Sequence, residues 1–129
     1  MSAKILTVDD SRMVRVIVTK AFARFGCEIF EASNGTEAIA AATVYLPDLI
    51  FLDITMADMN GLDVLEKLRA IPQLAHTPVV MLTAESGSAA LERANQLKIA
   101  GYIAKPFRGE QLLELAASLI PLSPPAAAA

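Results

Sequence analysis

Short apolar runs alternate with helix-length stretches along most of the chain. Several of the runs are apolar throughout, which is typical of parallel strands that helices cover on both faces. The turn and helix signals between them separate each run from the next. The pattern predicts five strands, at Ile5–Val8, Glu28–Ala32, Leu49–Leu52, Val79–Leu82 and Tyr102–Ala104.

The stretches between the strands carry helix signals. Ser11 is placed to cap the first helix and Gly26 to end it. Asn34 followed three residues later by Glu37 resembles a capping box for the second helix. Apolar residues recur at helical spacing at Val14, Ile17, Val18, Ala21, Phe22 and Phe25, at Leu62, Leu65 and Leu68, at Ala90, Ala94 and Leu97, and at Leu112, Leu115, Ala116 and Leu119.

Five strands alternating with five helices predict an α/β fold, a doubly wound five-stranded parallel sheet with helices on both faces. At 129 residues the chain has the length of one domain. We expect that domain to cover residues 1–120. Residues 121–129 are rich in proline and alanine and lack a packing pattern, which predicts a flexible tail.

Composition narrows the class of protein. A hydrophobic share of 54% excludes a disordered chain, yet no apolar run reaches the roughly 18 residues of a membrane span, so we expect no membrane insertion. The N-terminus lacks a signal-peptide layout, and the single cysteine, Cys27, fits a reducing compartment, so a cytoplasmic location is expected. A net charge of -3 gives no broad cationic field for direct nucleic-acid binding.

Polar residues with chemical potential stand at the carboxyl ends of the predicted strands. Asp53 ends the third run, Asp9 and Asp10 end the first, and Thr83 and Lys105 follow the fourth and fifth. Right-handed crossovers bring the carboxyl ends of all parallel strands to one edge, where open α/β sheets bind ligands. We therefore expect these five residues to gather there.

The residue types indicate phosphoryl chemistry with a cation. Clustered carboxylates repel one another unless a cation or a proton intervenes, and oxygen ligands suit Mg²⁺. An aspartate can act as a nucleophile toward phosphorus. A lysine ammonium such as that of Lys105 can neutralise phosphoryl charge, and the Thr83 hydroxyl can donate a hydrogen bond to it.

The chain resembles a CheY-like response regulator receiver domain, the phosphoacceptor module of two-component signalling. The resemblance covers roughly residues 4–120 and implies the flavodoxin-like strand order 2-1-3-4-5. It rests on five motifs, each after a predicted strand or in the loop that follows one: Val8-Asp9-Asp10-Ser11-Arg12, Leu52-Asp53-Ile54-Thr55-Met56, Met59-Asn60-Gly61, Leu82-Thr83-Ala84, and Tyr102-Ile103-Ala104-Lys105-Pro106-Phe107.

The resemblance implies a metal site and a phosphate site. Asp53 is expected to accept the phosphoryl group from a histidine kinase or phosphotransfer protein. Mg²⁺ is expected on Asp10, Asp53 and the backbone carbonyl of Thr55, with Asp9 holding a metal-bound water. The resemblance further implies that Lys105 and Thr83 contact the phosphoryl group and that the Lys105–Pro106 peptide bond is cis.

The resemblance also implies how the signal leaves the site. Thr83 moves toward the phosphate, and Tyr102 turns inward to fill the vacated space. The surface of the fourth helix, fifth strand and fifth helix then changes its affinity for a downstream target. Thr55 and Glu85 are expected to tune the lifetime of the phosphate. Where receivers usually carry proline, this chain has Ala57, so the loop after Asp53 is expected to be less restrained.

Other functions remain open from the residues. The leading interpretation is a signalling switch, not an enzyme, with no turnover beyond its own phosphate. A haloacid-dehalogenase-type phosphatase also uses an aspartyl phosphate but wants an acid where Thr55 stands. A flavin carrier shares the fold, and a degenerate receiver would serve only for docking. We expect a stand-alone chemotaxis-type receiver; the alternative is the receiver of a larger regulator or hybrid kinase.

Overall fold

Five parallel strands form one sheet in the order β2-β1-β3-β4-β5, with helices between them in the chain. The structure is a computed structural model that describes residues 3–56, 58–84 and 88–122. The predicted fold class and strand order are confirmed. The strands are β1 Lys4–Val8, β2 Glu28–Ala32, β3 Leu49–Asp53, β4 Val79–Thr83 and β5 Gly101–Ala104, and the helices are α1 Arg12–Phe22, α2 Gly35–Tyr45, α3 Gly61–Arg69, α4 Ser88–Gln96 and α5 Gly109–Leu119.

The strands run slightly further than the apolar runs predict. Pairing continues to Asp53 opposite Leu82 and to Thr83 opposite Ala104. Asp53 and Thr83 are therefore the last residues of β3 and β4 and do not follow them. Backbone hydrogen bonds extend the ladder because they do not depend on side-chain polarity.

The predicted helix caps are present, with one change of partner. The Ser11 hydroxyl accepts from the Val14 amide, and the Asn34 side chain accepts from the Glu37 amide. The Glu37 carboxylate accepts from the amide and the hydroxyl of Ser33, the residue before the cap. The cap therefore reaches one residue further than a standard capping box.

The first helix ends before the predicted glycine. The α-helical part stops at Phe22, and a single 3₁₀ turn, Ala23–Phe25, carries the chain to Gly26. Gly26 has a φ of 67°, the left-handed conformation that ends helices and suits a residue without Cβ.

Each face of the sheet carries its own apolar core. On one face, side chains of β1, β3 and β4 pack under α1 and α5, where the rings of Phe22 and Phe51 lie 5.7 Å apart. The other face packs under α2, α3 and α4. All five residues of β3 and of β4 are buried, because helices cover both faces of these central strands. A run without polar alternation follows from that double burial.

Arginines tie α4 to α3. The Arg93 guanidinium lies 2.8 Å from an Asp63 oxygen and 3.0 Å from a Glu66 oxygen. At the other end, Arg69 donates to the carbonyls of Leu97 and Lys98, just after α4. The Arg93 pairs are exposed, and exposed pairs stabilise little, so α4 is held mainly by its short apolar face.

In residues 3–56, 58–84 and 88–122, no helix is long and apolar enough to cross a bilayer. The predicted tail at 121–129 lies mostly outside the described residues, which include Pro121 and Leu122 but not 123–129.

Candidate functional site

Three aspartates meet at the carboxyl edge of the sheet. One carboxylate oxygen from each of Asp9, Asp10 and Asp53 lies within 4.8 Å of the others. Asp9 and Asp53 are buried, with 0% and 3% of their surface exposed, whereas Asp10 is exposed. The parallel register explains the meeting, since β1 and β3 are hydrogen-bonded neighbours.

Lys105 bridges the two buried carboxylates. Its Nζ lies 2.8 Å from Asp9 Oδ2 and 3.2 Å from Asp53 Oδ1. Burial works against the charged ammonium, but hydrogen bonds and charge from both aspartates outweigh it and raise the pKa of Lys105. Lys105 directly follows β5, where its amide donates to the Thr83 carbonyl, and the Lys105–Pro106 peptide bond is cis.

Asp53 is a weaker acid than an ordinary aspartate. Burial of its carboxyl group is the largest cause, the charge of Asp9 adds to it, and together they raise the pKa of Asp53 to about 6 although Lys105 opposes them. A carboxyl group with this pKa is mostly ionised at neutral pH, so it is available as a nucleophile or cation ligand. Lys105 therefore compensates only part of the charge repulsion among the three aspartates.

Backbone amides orient the two buried carboxylates. The Ser11 amide donates to Asp9 Oδ1 at 2.9 Å, and the Thr55 amide donates to Asp53 Oδ1 at 3.3 Å. Arg15 donates to the Asp9 carbonyl at 2.7 Å, which fixes the end of β1 against α1. The carboxylates therefore sit in defined positions before any ligand arrives.

The loop from β3 to α3 is packed closely over the end of β3. The Gly61 amide donates to the Ile54 carbonyl at 2.7 Å, and the Asn60 side chain caps α3 through the Leu62 amide. A Cβ on Gly61 would collide with the backbone carbonyl of Asp53. This close approach requires glycine and explains the Asn60-Gly61 motif physically.

The sequence analysis assigned no role to Asp58. Both of its carboxylate oxygens accept hydrogen bonds from the start of α2, at Gly35 and Thr36. Those partners lie 22 and 23 residues away in the sequence, so no local pattern could have revealed the contact.

The remaining predicted site residues are spread around this edge. Thr83 is buried at the end of β4, one pairing position beyond the residue opposite Asp53. Tyr102 is opposite Met81 in β5 and 54% exposed, so its ring points outward on the face that Thr83 shares. Thr55 is exposed beside Asp53. Glu85 and Ala57 lie outside the described residues.

The acid cluster fits a hard divalent cation. Its donors are carboxylate oxygens only, two of them buried, which is the ligand chemistry of Mg²⁺ and not of softer metals. Asp10 opens the cluster to solvent, so a cation that keeps several waters can be accommodated.

Comparison with known proteins identifies the family. The model of the response regulator receiver domain matches residues 5–117. Chemotaxis protein CheY1 of Helicobacter pylori is 35% identical over 113 residues, which are 86% of this chain and 91% of that protein. The protein-glutamate methylesterase/protein-glutamine glutaminase of Archaeoglobus fulgidus is 40% identical over 106 residues, 80% of this chain but 30% of that protein.

The fold agrees with a solved relative. The structure of chemotaxis protein CheY4 of Vibrio cholerae matches with a TM-score of 0.88 at 32% identity, covering 93% of this chain and 100% of that chain. The phosphatase and flavin-carrier alternatives have no support in these matches. The chain belongs to the response regulator receiver domain family of two-component signalling.

Proposed function

We propose that this receiver domain accepts a phosphoryl group on Asp53 and uses it to change its partner-binding surface. The observation that carries the proposal is the Lys105 ammonium bridging Asp9 and Asp53 within the acid cluster. Members of this family are phosphoacceptor switches, which agrees with this role.

The chemical step is an in-line transfer. An ionised Asp53 oxygen forms a bond to phosphorus while the bond from phosphorus to the donor, a phosphohistidine nitrogen, breaks and its electron pair leaves with the nitrogen. The pKa of about 6 leaves Asp53 ionised at neutral pH. The Thr55 amide and Lys105 hold Oδ1, so Oδ2 is the oxygen that we expect to attack.

Asp10, Asp53 and the Thr55 carbonyl are the groups that would hold Mg²⁺, with Asp9 acting through a water. Bound there, the ion supplies charge neutralisation for the phosphoryl oxygens. The Lys105 ammonium would neutralise the remaining phosphoryl charge. It can move from the carboxylates to a phosphoryl oxygen because only the side chain has to rotate. The Thr83 hydroxyl would donate a hydrogen bond to a phosphoryl oxygen, which makes its position depend on phosphorylation.

The signal would leave through Tyr102. Its outward ring shares a face of the sheet with Thr83, so inward rotation would couple the two residues. Receiver domains interact with histidine kinases or phosphotransfer proteins and with downstream targets. We assign the target to the surface of α4, β5 and α5, and the tuning of phosphate lifetime to Thr55 and Glu85.

A stand-alone, cytoplasmic, chemotaxis-type receiver is the setting that we favour. The match to a chemotaxis protein, 35% identical over 113 residues, supports the chemotaxis setting. The alternative is a receiver within a larger regulator, as in the methylesterase relative, which this chain matches over 30% of its length. The complete reading frame distinguishes the two settings.

The proposal is tested with Mg²⁺ and acetyl phosphate. We expect the intact mass to rise by one phosphoryl group, and Asp53→Asn to abolish the adduct. Asp48→Asn is the matched control, because Asp48 is an exposed carboxylate at the opposite end of β3 that accepts from the Lys4 amide. An unmodified parent protein under saturating donor, or an adduct that persists in Asp53→Asn, contradicts the assignment.

A further inference from the structure

The β3–α3 loop is anchored at its middle by a carboxylate that belongs to no part of the acid cluster. Asp58 Oδ1 accepts from the Gly35 amide at 2.9 Å, and Oδ2 accepts from the amide and the hydroxyl of Thr36, both at 3.3 Å. Asp58 is exposed, so water competes for it, yet both of its oxygens accept hydrogen bonds from the start of α2. An exposed side chain with three such bonds is held in one orientation.

These bonds complete the first turn of α2. A helix begins with four amides that lack intrahelical partners. The first intrahelical bond runs from the Ala38 amide to the Asn34 carbonyl, and the Asn34 side chain accepts from the Glu37 amide. Two further amides of this first turn, those of Gly35 and Thr36, are satisfied by Asp58. The positive end of the helix dipole favours the ionised form, and the hydrogen bond from Gly35 holds the pKa of Asp58 below its usual range.

Apolar packing reinforces the anchor. A Cβ on Gly35 would lie 2.8 Å from Met59 Cβ and 3.0 Å from Val64 Cγ2, so the loop rests directly on the backbone of α2. Met59 is the residue after Asp58 and packs against the core beneath α2 and α3. The loop is thus clamped by a polar contact and by an apolar contact at adjacent residues.

The same loop carries Thr55, whose carbonyl the proposed function assigns to the metal. Position 57 lies outside the described residues, and its alanine lacks the fixed φ that a proline would supply there. Among the described residues of the loop, Asp58 makes three hydrogen bonds to the start of α2.

We propose that Asp58 is a positioning residue, which anchors the loop on α2 and thereby presents the Thr55 carbonyl to the cation site. The inference rests on the proposed function of that site. Asp58 is not part of the acid cluster, so it would act through the backbone of the loop and not by direct contact with the cation or the phosphoryl group.

The test compares Asp58→Asn and Asp58→Ala with the parent protein. Isothermal titration with Mg²⁺ alone gives the dissociation constant, and intact mass after acetyl phosphate gives the initial rate of phosphorylation. We expect Mg²⁺ affinity to fall roughly 3- to 10-fold, because the charge-assisted hydrogen bonds that hold the loop in place before the ion binds are lost. The phosphorylation rate should fall at low Mg²⁺ and recover at saturating Mg²⁺.

Two controls separate positioning from charge. Asp48→Asn removes the same charge from an exposed carboxylate that also accepts a backbone amide, at the far end of the sheet. Repeating the titrations in about 1 M KCl, where the Debye length is about 3 Å, removes long-range attraction. Thr36→Val removes one donor to Asp58 without any change in charge and should weaken Mg²⁺ binding slightly, about 2-fold.

The outcomes are distinct. Parent-like Mg²⁺ affinity in both Asp58 variants overturns the inference, and so does an equal loss in Asp48→Asn. A lower urea midpoint with unchanged Mg²⁺ affinity also overturns it, because the role of Asp58 would then be structural. If the parent protein binds no Mg²⁺ and takes no phosphate, the proposed function fails, and the inference fails with it.

Discussion

The acidity of Asp53 is set by its neighbours and not by its own type. The residue is 3% exposed, and its carboxyl group is close to that of Asp9 and only partly neutralised by Lys105. A proton or a cation can relieve that repulsion, so the two should compete for the cluster. The sequence showed which acids stand at the strand ends, but burial and spacing, which determine this competition, come from packing.

We predict a pH dependence that follows from this competition. With a folded pKa of about 6 and an unfolded value near 3.8, the native protein binds more protons than the unfolded chain between these values. The stability that Asp53 contributes is therefore full below pH 3.8 and is lost as pH rises through 6, by up to about 3 kcal/mol. Asp53→Asn should stabilise the metal-free protein at pH 7.5 and much less at pH 5.

Urea unfolding in EDTA at the two pH values measures this effect. Adding Mg²⁺ should stabilise the parent protein at pH 7.5 and do less at pH 5, where the proton already occupies the cluster. A stability difference between parent and Asp53→Asn that is the same at both pH values contradicts the raised pKa.

The connections between elements were harder to predict than the elements. The predicted strands agree with the observed ones to within one residue at either end. For the central strands β3 and β4 the reason is burial on both faces, which demands apolar side chains. The β3–α3 loop had no such pattern. Its shape depends on the close approach of Gly61 to the backbone carbonyl of Asp53 and on the hydrogen bonds of Asp58 to α2. The first contact involves only backbone atoms and the second joins residues distant in sequence, so neither leaves a pattern of apolar residues.

The approach of α3 to β3 gives a prediction at Gly61. Gly61→Ala would push its Cβ into the Asp53 carbonyl, where only backbone can yield. We expect a loss of roughly 1–3 kcal/mol of unfolding free energy, as for overpacked cores, together with slower phosphorylation because Asp53 is displaced. Urea unfolding and the initial rate with acetyl phosphate measure the two effects.

Gly101→Ala is the matched control. A Cβ there meets only the flexible end of the Leu115 side chain, at 3.1 Å, so its cost should be smaller and the phosphorylation rate unchanged. Equal losses in the two variants contradict the steric explanation.

At the scale of the whole molecule, the proposed switch would couple the acid cluster to the α4–β5–α5 surface through β4 and β5. Thr83 and Tyr102 share one face of these paired strands, and the neighbouring helix α4 has few anchors in its described part: Ala94 is buried, and the Arg93 pairs are exposed. A two-state change biased by a local charge requires such a loosely held element.

The two tyrosines of the chain allow a direct test. In protein labelled with 3-fluorotyrosine, Mg²⁺ and beryllofluoride should shift the ¹⁹F resonance of Tyr102 as its ring leaves solvent. The resonance of Tyr45 should not move, because its ring stacks on Phe30 with 4.0 Å between the ring centroids. Phe30 belongs to β2, the edge strand opposite β5. An unchanged Tyr102 resonance, or equal shifts of both, contradicts the coupling.

The sequence by itself determined the fold class, the family resemblance and which residues stand at the carboxyl edge of the sheet. It could do so because strand burial leaves a local apolar pattern in the sequence, and because the chirality of the chain fixes the handedness of the crossovers. Only the tertiary structure decided the raised pKa of Asp53, the pairing of Lys105 with both Asp9 and Asp53, and the hydrogen bonds between Asp58 and α2. Those properties are distances and desolvation between residues far apart in the chain, which no local pattern encodes.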